Sequence, residues 1–273
     1  PQLCKEAWPT YREWFGNSDL NLFVYGGMAA HAVVFIGGNL FYTFLYAMDF
    51  AALKSFKVEA KDWPWKRDAK TRTAFFALVK RSVLLLIFNQ VAIVLPLSHV
   101  SYTNAVQLGA KFDAASIPGW TTMAWQLVVF MVLEDFLFYF GHRFLHWKVI
   151  YPHVHKLHHQ YNNQLSTIAL ASEVAHPVEF LLSNVVPFVA GPTLVGAHHS
   201  TFLLWVLVRI SETIDGHCGY DWPWTPFRVL PFSGSSTHHI LHHSKNRGNF
   251  GSFFTVWDRV FKTEITLAEK KAA

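Results

Sequence analysis

The sequence predicts an all-α integral membrane protein, with about four transmembrane or hairpin helices and a histidine-rich di-metal cap on the cytosolic side. Three observations predict it. The 273 residues are 52% hydrophobic and 16% aromatic but only 15% charged, against about 25% charged in ordinary soluble chains. The apolar residues gather in runs at 21–48, 82–98, 120–141 and 178–210. Five histidines fall between His142 and His159, where the third run ends, and His239, His242 and His243 follow after the fourth.

The histidines carry the chemical argument. His142 and His146 form an HxxxH pair; His155-Lys-Leu-His158-His159 and His239-Ile-Leu-His242-His243 are two HxxHH boxes. Residues three and four apart share a helix face, so the first pair can aim at one centre and each box can turn all three rings into one cavity. Neutral imidazole is the commonest side-chain metal ligand and suits iron, zinc, copper and nickel. Eight imidazoles exceed the four ligands of a structural zinc site, so two metal ions are expected. A scatter of polar histidines at a membrane surface would not produce three ligand-spaced boxes.

Taken in order, residues 1–19 are polar and aromatic, with Trp8, Trp14 and Phe15 suited to a membrane interface. The run at 21–48 spans a hydrocarbon core of about 30 Å at ~1.5 Å per residue. Its Gly26, Gly27, Gly37 and Gly38 allow close helix packing in lipid, and His31 reads as a packed polar residue. Residues 51–72 hold Lys54, Lys57, Lys61, Lys66, Arg67, Lys70 and Arg72, which makes the loop cytoplasmic by the positive-inside rule. The run at 82–98 leads to a lumenal loop, 99–119, whose one basic residue is Lys111.

The third run, 120–141, returns to the cytoplasmic side and delivers His142 and His146 there. It contains Glu134 and Asp135, and carboxylates in an apolar helix are functional candidates. Asp135 lies seven residues before His142 on the same face, so it is expected to orient a ligand histidine through its second nitrogen, with Glu134 as a companion. Residues 178–210, broken by Pro187, Gly191, Pro192 and Gly196, read as a short or partly inserted hairpin turning near 191–196. That parity returns the last box to the side of the first two. His198 and His199 belong to the turn and are not expected to ligate. Asp221-Trp-Pro-Trp-Thr-Pro226 reads as turns over a surface.

Other classes are excluded or set aside. The net charge of +5 resides in membrane-flanking loops, so it serves topology and lipid headgroups rather than a nucleic acid. Cys4 and Cys218 form no CxxC, which argues against a disulfide framework or a cysteine metal site. No charged n-region with a cleavage site marks a signal peptide. A metal transporter would place its ligands near the bilayer midplane, whereas these boxes follow the apolar runs. The closing Lys270-Lys271-Ala272-Ala273 resembles an endoplasmic reticulum retrieval signal. The expected organisation is a single membrane-embedded domain over 1–273, with membrane helices in 1–120, the catalytic core in 121–263 and a cytosolic tail in 264–273.

HxxxH, HxxHH and HxxHH in this order resemble the fatty acid hydroxylase / sterol desaturase superfamily of non-haem di-iron oxygenases. Within it the chain is most similar to C4-methylsterol oxidases. The resemblance rests on Glu134-Asp135, Tyr139 and His142-Arg143, on Tyr151 with the second box, and on Glu173, Ala175-His176-Pro177 and Glu179. It continues through Glu212-Thr-Ile-Asp-Gly-His217, Gly219-Tyr220, Leu230-Pro-Phe232, His238-His239, Gly248-Asn249 and Trp257-Asp258-Arg259, covering about 125–263. Ile240 departs from it, standing where such oxidases carry an acidic residue.

The resemblance implies an O2-dependent methylsterol monooxygenase holding two irons on His142, His146, His155, His158, His159, His239, His242 and His243. It adds His217 as a ninth ligand, with His176 and His238 in lesser roles. It also implies a sterol substrate oxidised at its C4 methyl, and residence in the endoplasmic reticulum membrane with the active site facing the cytosol. Electrons would come from cytochrome b5 and its NAD(P)H reductase, since the chain has no nucleotide fingerprint of its own. Other sterol C4-demethylation enzymes are implied partners. The same metal core serves sterol C5-desaturases, sterol or fatty acid hydroxylases and alkylglycerol monooxygenases, which remain the alternatives.

Overall fold

A computed structural model describes residues 2–162 and 164–266 of the chain. The described residues form helices and turns, with only isolated bridges outside them. Among the described residues, four helices are long and apolar enough to cross a membrane: Asp19–Met48, Ala69–Gln107, Trp120–Leu145 and Pro177–Leu194. A return helix, His199–His217, follows the fourth, and a short helix, Ser236–Lys245, carries the last histidine box. The Lys270–Ala273 ending lies outside the described residues.

The local chemistry explains where these helices begin and bend. Ser18 caps the first by accepting from the Asn21 amide, and Asp68 caps the second by accepting from Thr71. The second helix is longer than the 82–98 run predicts. It runs on through Pro96 to Gln107 because a π-helical stretch, Asn89–Val94, reroutes its hydrogen bonds just before the proline. The expected 99–119 loop therefore shortens to 108–119. Similar π stretches occur at Leu22–Gly26 and Phe180–Val185.

The first helix packs on the return helix and the third on the fourth. Gly191 makes the second contact possible: a Cβ there would come within 2.8 Å of the Phe130 backbone. The expected hairpin has arms of 18 and 19 residues, roughly 27 and 28.5 Å at ~1.5 Å each; the first is apolar enough to cross a hydrocarbon core, whereas the return helix carries Arg209, Glu212 and Asp215. Between them Gly196 takes φ +57°, and a Cβ there would strike the Leu108 carbonyl at 2.5 Å, so the turn seats on the 108–119 loop. A short helix before the first, Gln2–Glu13, lies at the same end, where Trp8 and Arg12 both donate to the Phe112 carbonyl.

All three histidine boxes lie at the opposite end. The basic 51–72 loop is there too, its Val58 amide bonded to the Gly219 carbonyl just past the return helix. Outward faces of the long helices expose Val33, Ile36, Leu40, Leu84, Ile87, Val128 and Val132. A continuous apolar belt of this kind fits lipid and not water. Both cysteines are free.

Candidate metal centre

Nine histidines meet at the boxed end in two clusters. His142, His146, His155, His159 and His242 form one; His158, His217, His239 and His243 form the other. Within each, the ligand atoms lie within 4.8 Å of one another. The clusters adjoin, with the His159 and His243 rings 4.8 Å apart.

The boxes do not each face one cavity, as spacing alone led one to expect; they divide. In the first HxxHH box, His155 and His159 enter the five-histidine cluster while His158 enters the other. In the last box, His239 and His243 enter the four-histidine cluster while His242 crosses to the first. On an α-helix, positions i and i+4 are separated by about 40° around the axis, but i+3 and i+4 by about 100°. One centre cannot take all three. His239 to His243 sit on such a helix, whereas His155–Gln160 is a tighter 3-10 turn that makes the same division.

The protonation of these rings follows from their outer partners. His142 Nδ1 donates to the Phe250 carbonyl, His158 Nδ1 to Val174, His217 Nδ1 to Thr213 and His242 Nδ1 to Gly248, at 3.0, 3.0, 2.8 and 2.5 Å. A carbonyl only accepts, so Nδ1 carries the proton and Nε2 presents a bare lone pair. His155 Nδ1 likewise donates to Glu179 Oε1 at 2.7 Å. The Nε2 atoms then face one another: His142 to His155, His155 to His159, and His159 to His242, each at 3.1 Å. In the second cluster His217 and His239 approach to 2.8 Å.

Converging lone pairs repel unless a cation sits among them. Two nitrogens at the usual ~2.1 Å from one metal would be about 3–3.4 Å apart, close to the separations observed. The residues therefore fit metal ions. Burial pushes His158 down to about 4, and holds His159, His239, His242 and His243 well below the usual imidazole range, reinforced by neighbouring histidines. They are neutral at pH 7, the form that ligates. His146 is the more open member at the rim of its cluster, pushed down to about 2 by burial and by His142 and His158.

Asp135 does not orient a histidine. Its Oδ1 accepts the backbone amides of Ser252 and Phe254. Seven residues on one face are roughly 10 Å along the axis, beyond the reach of a carboxylate. It acts at one remove, pinning the segment whose Phe250 carbonyl holds His142. Glu134 accepts from Arg209 Nε at 2.6 Å, tying the third helix to the return helix. Arg143 bonds Tyr139 rather than either acid.

Glu179 is the carboxylate that holds a ring of the first cluster, that of His155. The signal for it was present: a glutamate opening an apolar run after Pro177, costly there unless partnered. His176 caps its own helix by accepting from Val178, and His238 contacts Asp258 at 3.4 Å. His31 pairs with Glu173 at 2.7 Å, packed as expected. His198 and His199 lie at the far end, away from both clusters; His198 Nε2–H donates to the Asp113 carbonyl. Beneath the clusters a small pocket, about 20 Å3, opens between them and the fourth helix, bounded by Phe138, Ser172, Glu179, Ser183 and Thr213.

The fatty acid hydroxylase family model matches residues 127–263. Methylsterol monooxygenase 2-2 of Arabidopsis thaliana is 33% identical over 250 residues, covering 90% of this chain and 87% of that protein. A methylsterol monooxygenase of Aspergillus fumigatus is 29% identical over 269 residues, covering 97% and 85%. A very-long-chain aldehyde decarbonylase of Oryza sativa is 40% identical over 195 residues, covering 70% and 71%. No solved structure matches the chain.

Proposed function

The chain belongs to the fatty acid hydroxylase family, and we propose that it is a di-iron monooxygenase oxidising the C4-methyl group of sterol precursors. The observation that carries the metal chemistry is the convergence of bare Nε2 lone pairs in two adjoining clusters. The sterol assignment rests on likeness to methylsterol monooxygenases over nine-tenths or more of the chain. Sterol-related oxygenase activity fits both. The assigned ligands are His142, His146, His155, His159 and His242 for one iron, and His158, His217, His239 and His243 for the other.

Iron bound there would supply O2 activation and cleavage of an unactivated C–H bond. The overall reaction, R–CH3 + O2 + 2 e− + 2 H+ → R–CH2OH + H2O, draws its electrons from an external donor, which we assign to cytochrome b5 and its NAD(P)H reductase. The protein's own groups position. Carbonyls of Phe250, Val174, Thr213 and Gly248 lock the ring tautomers, and Glu179 holds His155. Phe138, with Glu179 and Ser183 of the fourth helix, lines the pocket beneath the centres.

We read 1–273 as one membrane-embedded domain in the endoplasmic reticulum, with the centres facing the cytosol beside the basic 51–72 loop. The test supplies membranes containing the protein, cytochrome b5, its reductase and NADH with 4,4-dimethyl and 4-monomethyl sterols. Oxygen-dependent 4-hydroxymethyl or 4-carboxy sterol is the expected product. A second reading, a long-chain aldehyde as substrate, is favoured by the 40% identity to an aldehyde decarbonylase over 70% of the chain. Turnover of octadecanal with inert sterols would replace the first reading by the second.

A further inference from the structure

One hydroxyl beneath the centres has no partner. Ser183 is buried, 3% exposed, and its Oγ makes no hydrogen bond. It lines the pocket that also touches His142, His155, His158, His217 and His239. Glu179 lines the same pocket: Oε1 holds His155, while its buried Oε2 has no partner either. A buried polar atom left unmatched costs about 1–3 kcal/mol, so two in one pocket ask for a ligand with a polar atom of its own.

The backbone has been shaped to put Ser183 there. It sits in the π-helical stretch Phe180–Val185, a rare local form that re-aims side chains and often marks a functional site. Gly141, the residue before His142, leaves the space: a Cβ at that position would lie 3.1 Å from Ser183 Oγ. The two atoms share one pocket and have complementary needs: a hydroxyl could accept the Ser183 O–H and give its own O–H to Glu179 Oε2. An alcohol has that chemistry; a hydrocarbon does not.

We propose that Ser183 and Glu179 Oε2 form an oxygen subsite that binds the hydroxyl of a once-oxidised carbon in front of the two centres. The inference rests on the reading that the centres oxidise a C–H bond.

The test measures the preference for alcohol over hydrocarbon by anaerobic binding to the metal-loaded protein in lipid nanodiscs. Two probe pairs are used: a 4-methylsterol with its 4-hydroxymethyl counterpart, and octadecane with octadecan-1-ol. The expected result is that Ser183→Ala lowers the preference about fivefold, the worth of one hydrogen bond, with both metals retained. Gly141→Ala, which crowds the same hydroxyl, should shift it in the same direction. A Ser183-dependent preference with octadecanol alone keeps the subsite and overturns the sterol reading. No preference in the wild type, or one that Ser183→Ala leaves intact in both pairs, means that water fills the subsite and overturns the proposal.

Discussion

The two clusters use the same residue type but are assembled by different routes. Four of the five histidines of the first come from 142–159, so a helix end and the turn after it nearly complete it; His242 alone arrives from afar. The second draws its four from three separated segments, around His158, His217 and His239-His243. Their exposure differs in step. His146 is partly open at the rim of the first cluster, whereas every member of the second is buried. The first is local and rimmed; the second exists only because the hairpin returns. The crossing of His158 and His242 between them makes each cluster depend on the other's box.

That crossing offers the sharpest way to break the comparison. His242→Ala should empty the five-histidine centre and His158→Ala the four-histidine centre, each abolishing turnover while the other metal stays. Metal analysis of purified protein checks this. Loss of both metals from either variant would show that the clusters load as one unit. His217→Ala comes next, removing the ligand that only the hairpin supplies. It should release metal from the second centre and leave the first loaded, and equal release from both would erase the distinction drawn here.

Glu179→Gln should have a smaller effect, because the ring of His155 stays while its anchor weakens. Loss of an outer partner typically costs about 10–100-fold in metal affinity or activity, and here it should fall on the first centre alone, read by competition with a chelator. Asp135→Asn is the mildest. Both metals should remain, with stability lower by about 1–3 kcal/mol, since the carboxylate serves two backbone amides rather than a ring. The thermal midpoint and metal content together decide it; selective loss of the first metal would restore a direct role for Asp135.

The outcome for the two acids shows where sequence reading stops. Asp135 and His142 share a face by their spacing, and that was legible. That the face is occupied between them by the 250–254 segment was not, because nothing local encodes a contact across more than a hundred residues. Glu179 was the reverse: its cost in an apolar helix was visible, but its partner lay across the fold. The length of the second helix was misread at Pro96 because a π stretch, which has no clear sequence signature, absorbed the break.

The sequence by itself determined the all-helical membrane class, the number of apolar helices and a set of ligand-spaced histidines that gather at one end. These follow from composition and from spacing along a helix, both short-range properties. Tertiary structure alone decided which histidine serves which centre, what holds each ring and where an unpartnered hydroxyl faces the site. Those depend on which segments meet, and lone pairs about 3 Å apart can be brought together only by packing that acts across the whole chain.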